Sequence, residues 1–203
     1  MIKTLFFDFD GVLTTDPSGS ATTLRALAEQ SGLDEQVLWA AIEPFNRDLI
    51  LGHTTHARIW PDVCARLGAE IPFEHLTTAF LQTPIHQPVL ALARELRAEF
   101  AIGMITDNKS DRMDVIVRQH RLDEVFDPIV VSAEVGHSKR GAAIFREALR
   151  RAGAEARTSL FIDNTLRNLY GAAAIGMKTL LFDGTTEGAA ELRSALQLIF
   201  TSD

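Results

Sequence analysis

Five short apolar runs, separated by stretches of helical period, constrain this 203-residue chain more than any other feature. They are Leu5 to Phe7 with Phe9, Ala101 to Ile105, Pro128 to Val131, Ser159 to Ile162 and Lys178 to Phe182. Near-continuous apolar runs of this length read as strands covered on both faces, as in a parallel sheet. Helical patterning is predicted between the later runs, over 89–99, 110–121, 139–152 and 166–175. Strand and helix in alternation imply a doubly wound, parallel, five-stranded α/β sheet of Rossmann-like type.

The stretch from Ala21 to Thr83 breaks that rhythm. Leu24, Leu27 and Ala28 mark a short helix ending near Gly32, and Asp34 is placed to cap a second carrying Val37, Leu38, Ala41, Ile42 and Phe45, with Pro44 bending or interrupting it. Thr54 or Thr55 caps a third through Trp60, Val63, Cys64 and Leu67, with Pro61 in its early turns, and Phe73 to Leu81 reads as a fourth. No strand pattern occurs here. The expected organisation is an α/β core over 1–15 and 86–203, with an all-helical module over 16–85 inserted after the first strand.

The first run ends in Asp8-Phe9-Asp10-Gly11. Residues two apart on a strand share a side, so both carboxylates are expected to face one site, and Gly11 lets the backbone turn away. Like charges this close need a cation or a shared proton. Three further strand ends or loops carry reactive groups: Thr106/Asn108, Lys139 and Asp163/Asn164. In an open parallel sheet the carboxyl ends of the strands lie along one edge, where ligands bind, so these residues can meet. Carboxylates, a hydroxyl and a cation together suit metal-assisted phosphoryl transfer, with a carboxylate as nucleophile.

Composition removes other classes. The chain has 27 acidic and 20 basic residues, net charge −7, and no dense Lys/Arg run, which disfavours nucleic-acid binding through a basic face. There is no apolar run near 18 residues and no signal-peptide-like start, so the expectation is a cytoplasmic protein with no membrane partner. The lone Cys64 cannot form an internal disulfide; its apolar surroundings favour a buried structural thiol over a catalytic one.

The motifs DFDGVLT (Asp8 to Thr14), ITDN (Ile105 to Asn108), SKR (Ser138 to Arg140) and FIDN followed by NLYGAAAIGMKTLLF (Phe161 to Phe182) resemble those of the haloacid dehalogenase superfamily. The likeness covers the sheet-forming two-thirds of the chain, and the helical module sits where that family inserts a small helical cap. The resemblance implies a Mg²⁺-dependent phosphatase acting on a small phosphorylated metabolite. Asp8 would be the nucleophile and a metal ligand. Asp10 would be general acid and then base, with its carbonyl on the metal. Thr106 and Lys139, with Asp107 and Asn108 beside them, would bind the phosphoryl group, and Asp163 and Asn164 would complete the Mg²⁺ site. Hydrolytic dehalogenases of the superfamily lack an aspartate at the position of Asp10, so the resemblance favours phosphate esters over carbon–halogen bonds.

Two positions depart from the pattern. Where a second acid is common the chain has Asn164, which subtracts a negative charge and is expected to weaken metal binding; Arg167, four residues after Asp163, is no substitute. Arg140 stands where proline is frequent. Two alternatives follow: a phosphosugar mutase of the same superfamily, or a binding or regulatory protein whose metal site Asn164 has weakened. Among smaller candidates, His53 and His56 lie in an inter-helix turn that is either substrate-facing or merely exposed. His137 lies near Lys139, Arg47 is either substrate-facing or solvated, the 16–20 loop is either a hinge or a connector, and Trp39 and Trp60 read as core of the module. Oligomeric state is not legible.

Overall fold

Leu5, Phe6 and Phe7 have no solvent exposure, because their strand becomes the middle of the sheet. In the computed structural model, which describes residues 1–201, β1 (Thr4–Phe7) is followed by α1 (Gly19–Ser31), α2 (Glu35–Ile50), α3 (His56–Leu67) and α4 (Phe73–Leu81). The chain then returns through α5 (Gln87–Leu96), β2 (Ala101–Thr106), α6 (Ser110–His120), β3 (Ile129–Val131), α7 (Ser132–Val135) and α8 (Ala143–Ala152). It closes with β4 (Ser159–Asp163), α9 (Leu166–Ala173), β5 (Lys178–Leu181) and α10 (Ala189–Thr201). The sheet order is β3-β2-β1-β4-β5, every pairing parallel.

Side chains alternate across β1. Leu5 and Phe7 join the face covered by α5, α6 and α10, through Val89, Leu90, Met113, Ile116, Leu192 and Leu196. Phe6 joins the opposite face, with Ile105 and Phe161 under Ile144 and Phe145 of α8 and Leu169 of α9. Helices α1–α4 bury a core of their own, including Leu27, Leu38, Trp60, Val63, Cys64, Leu76 and Phe80. The expected five-stranded α/β fold and the all-helical insertion after the first strand are both present.

The two linkers joining the helical module to the sheet run side by side. Thr14 bridges Ile85 in antiparallel fashion, Thr15 N–H donates to the Pro84 carbonyl (3.0 Å), and His86 N–H donates to the Leu13 carbonyl (2.9 Å).

Several local expectations differ. Asp34 caps α2 through its side chain as anticipated, but the helix continues unbroken through Pro44 to Ile50. Thr55 occupies the start of α3 without a side-chain capping bond. The helix expected from Lys139 begins only at Ala143: Gly141 N–H closes a turn on the Ser138 carbonyl, and Lys139 N–H is drawn to Asp107 Oδ1 at 2.8 Å. β1 ends at Phe7, so strand alternation does not place Asp10.

Candidate active site

Asp8 continues the line of β1 by donating its N–H to the Ile162 carbonyl of β4 at 2.8 Å. Beyond it the chain needs a sharp turn, and Gly11 supplies it at φ 81°. A side chain there would collide with the Asn164 amide, so glycine is required both for conformation and for close approach to the end of β4. Gly11 N–H donates to Thr14 Oγ1 (2.8 Å), and its carbonyl accepts from Gly184 N–H after β5 (2.7 Å).

Lys139 ties the site together. Its buried ammonium lies 2.7 Å from Asp8 Oδ1 and 2.6 Å from Asp163 Oδ2. Asp163, with no exposure, also accepts from Thr165 N–H (2.7 Å) and from Asn168 Nδ2 (3.1 and 3.2 Å). Burial opposes the charged ammonium, but Asp8, Asp163 and Asp107 outweigh it and hold Lys139 above its ordinary pKa. Asp8 is pushed well above the usual carboxylate range, first by burial and then by the negative charges of Asp163 and Asp10, which Lys139 only partly offsets. The cluster holds more negative charge than its lysine neutralises.

Asp10 lies on the same pocket as Asp8, Thr106, Asp107, Asn108, Lys139 and Asn164, but a loop rather than strand alternation brings it there. Its carboxylate is held by a side chain the sequence reading did not single out. Arg112, in the first turn of α6, donates from Nη1 to Oδ2 and from Nη2 to Oδ1, each at 2.9 Å. Asn108 Nδ2 adds a third bond to Asp10 Oδ2 at 2.8 Å and reaches Thr106 Oγ1 at 3.3 Å. The Asn108 amide is thus committed to holding Asp10, and Asp107 to holding the Lys139 backbone. A signal for Arg112 existed: Lys109 and Arg112 put two cations at the start of a helix, where the dipole opposes them.

Lys109 lines the same pocket and reaches Ser20 Oγ of α1 at 3.0 Å. It also borders a narrow, mainly apolar cleft between module and sheet, with Leu24, Trp39, Ile42 and Phe80 on its walls. His56 is neither exposed nor on the pocket of Asp8 and Asp10. It is buried, its Nδ1 lying 2.9 and 3.0 Å from the Asp111 carboxylate of α6, and that pairing outweighs burial to lower the Asp111 pKa. His53 is exposed beside Asp48, and His137 borders a different groove, with Arg146 and Arg150. Arg47 and Arg140 line one open groove between module and sheet. Trp60 and Cys64 are buried in the module as expected.

One family model, described as haloacid dehalogenase-like hydrolase, matches residues 2–176, which run from β1 through α9. The chain belongs to this family. A glyceraldehyde 3-phosphate phosphatase of Pyrococcus abyssi is 25% identical over 201 residues, covering 90% of this chain and 82% of its own. The pyrophosphatase PpaX of Bacillus cereus is 24% identical over 207 residues, covering 95% and 88%. The HAD family enzyme BT-2542 of Bacteroides thetaiotaomicron shares the fold at TM-score 0.78 and 18% identity, covering 95% and 98%. A second structure of it, solved with magnesium and inorganic phosphate, aligns at TM-score 0.74 and 17% identity, covering 95% and 99%. Among the described residues no helix is long and apolar enough to cross a membrane.

Hard divalent cations take oxygen ligands. Among the described residues no three His, Cys, Asp or Glu side chains converge as a metal cluster, since the Asp10 carboxylate turns to Arg112 and position 164 is an amide. Two carboxylates remain, Asp8 and Asp163; burial first, and then the charge of Asp163, opposes ionisation of Asp8, and a bound cation would favour it. The oxygen donors fit Mg²⁺, with one charge fewer than a site with a second acid.

Proposed function

We propose that the protein is a Mg²⁺-dependent phosphatase acting on a small phosphorylated metabolite through an aspartyl-phosphate on Asp8. The observation that carries this reading is the buried Lys139 shared between Asp8 (2.7 Å) and Asp163 (2.6 Å) on a pocket that Asp10 and Thr106 also line. Lys139 fixes the nucleophilic carboxylate and presents positive charge where an incoming phosphate must sit. Asp8 attacks phosphorus, the ester P–O bond breaks, and Asp10 gives its proton to the departing oxygen. Asp10 then takes a proton from water as that water attacks the aspartyl-phosphate, releasing inorganic phosphate and restoring Asp8. Thr106 Oγ1 hydrogen-bonds the transferring group.

Asp8, the Asp10 carbonyl, Asp163 and Asn164 would hold the magnesium, which when bound supplies neutralisation of phosphoryl-oxygen charge. In this reading residues 16–85 act as the cap: they wall one side of the pocket through Pro17 to Ser20 and Ile50 and exclude bulk water from the reacting atoms. The relatives named as phosphatases of glyceraldehyde 3-phosphate and of pyrophosphate support phosphoryl chemistry in general. The test is a panel of phosphate monoesters with and without Mg²⁺, alongside Asp8→Asn. Release of phosphate that depends on Mg²⁺ and vanishes in the variant is expected; undiminished turnover by Asp8→Asn would refute the covalent mechanism.

A further inference from the structure

Three side chains at the start of α6 grip the helical module. Lys109 Nζ donates to Ser20 Oγ (3.0 Å), the Asp111 carboxylate holds His56 Nδ1 (2.9 Å), and Arg112 Nη2 donates to Thr83 Oγ1 (3.3 Å). Arg112 stands apart because the same guanidinium also forks onto Asp10, at 2.9 Å from each oxygen. Thr83 belongs to the returning linker. The start of α1 reaches Arg112 as well: a Cβ at Gly19 would fall inside contact distance of Cζ and both Nη atoms, so the backbone of Gly19 rests directly on the guanidinium plane.

Stability does not account for this arginine. Arg112 is 1% exposed, and burying a guanidinium costs several kcal/mol that an ion pair at best roughly returns; apolar packing commonly does as well or better. It sits in the first helical turn, against the dipole. Its Nε, also buried, has no hydrogen-bond partner among the described residues. The remaining contacts are Asn108 Oδ1, which accepts from Nη1 at 3.0 Å, and the Phe9 ring, 5.7 Å from Cζ to centroid. A residue that breaks local rules in this way is expected where a function requires it.

We infer that Arg112 is a positioning residue that couples the seating of the helical module to the placement of Asp10. With the module seated, Gly19 and Thr83 fix the guanidinium on one edge, and the fork holds Asp10 as a charged carboxylate on the pocket it shares with Asp8, from which one oxygen must be released to carry the proton. When the module moves, the fork moves, and Asp10 loses its place. The coupling needs no contact between Arg112 and the reacting atoms.

This inference rests on the acid–base reading of Asp10, so the test separates the two. kcat/KM reports phosphoryl transfer to Asp8 and not the later hydrolysis, and it is measured for the best alkyl phosphate of the panel and for p-nitrophenyl phosphate, whose leaving group departs without a proton. Positioned general acids contribute about 10² to 10⁴. Asp10→Asn should lose at least about 100-fold on the alkyl ester and under about 10-fold on the aryl ester; equal losses would overturn the acid role and the coupling with it. Arg112→Lys, which keeps the charge but not the fork, should show the same imbalance at about 30-fold or more on the alkyl ester. Gly19→Ala pushes the guanidinium from the module side, leaves Arg112 in place, and should reproduce the pattern. If Asp10→Asn discriminates between the esters while Arg112→Lys and Gly19→Ala lower both equally, leave both unchanged or raise them, the coupling is refuted and the acid reading stands.

Discussion

Lys109 offers a quantitative check on how the helical module meets the sheet. Burial, reinforced by the charge of Arg112, lowers its pKa from 10.5 to about 8. Its ammonium donates to the neutral Ser20 hydroxyl, and the more distant charges of Asp10 and Asp111 only partly offset burial. Between pH 8 and 10.5 the unfolded chain holds this proton and the folded chain does not, so stability rises with pH across that window. The full interval corresponds to about 3 kcal/mol at 1.36 kcal/mol per pKa step; because Lys109 keeps some exposure, about 2 kcal/mol is the working figure. The perturbation is Lys109→Met, which keeps the length of the side chain and removes the titration. Urea unfolding of both proteins is measured at intervals from pH 7 to pH 10.5. The variant's advantage should be largest below pH 8 and shrink by about 2 kcal/mol toward pH 10.5. Curves that stay parallel to within about 0.5 kcal/mol, the scatter expected of an ordinary surface substitution, would refute the burial of an unpaired charge at this junction.

Three further outcomes are expected. Asn164→Asp restores the missing charge, so half-maximal Mg²⁺ concentration in the phosphatase assay should fall about tenfold or more, in keeping with ligand-shell effects elsewhere; an unchanged Mg²⁺ titration contradicts the assignment of position 164. Gly52 sits at φ 72° in the turn after α2, with its Cα against the Ala133 carbonyl of α7. Gly52→Ala should lower stability by more than about 1 kcal/mol in thermal unfolding and expose the junction of module and sheet to limited proteolysis. Leu27→Ala, at a side chain with no exposure in the module core, should cost about 2–5 kcal/mol in denaturant unfolding, and a loss under 1 kcal/mol would mean the module packs differently.

The sequence by itself determined the architecture, because apolar run length and helical period act locally: Leu5–Phe7, Ala101–Ile105 and Ser159–Ile162 each became buried parallel strands, and Phe73–Leu81 a helix with those bounds. It also gave reason to expect Asp8, Thr106, Lys139 and Asp163 near one another, since parallel strands deliver their carboxyl ends to one edge, and the structure brings them together. Which partner each side chain takes was a different matter. Asp10 was expected to face Asp8 by strand alternation, yet the strand stops at Phe7 and the carboxylate is taken by Arg112, 102 residues away. His56 read equally well as exposed or substrate-facing, and it is instead buried on Asp111, 55 residues on. Ion pairs between distant segments leave no period in a sequence. Their partners are chosen only when packing removes water and brings each buried charge against the groups that can neutralise it, and that choice belongs to the tertiary structure.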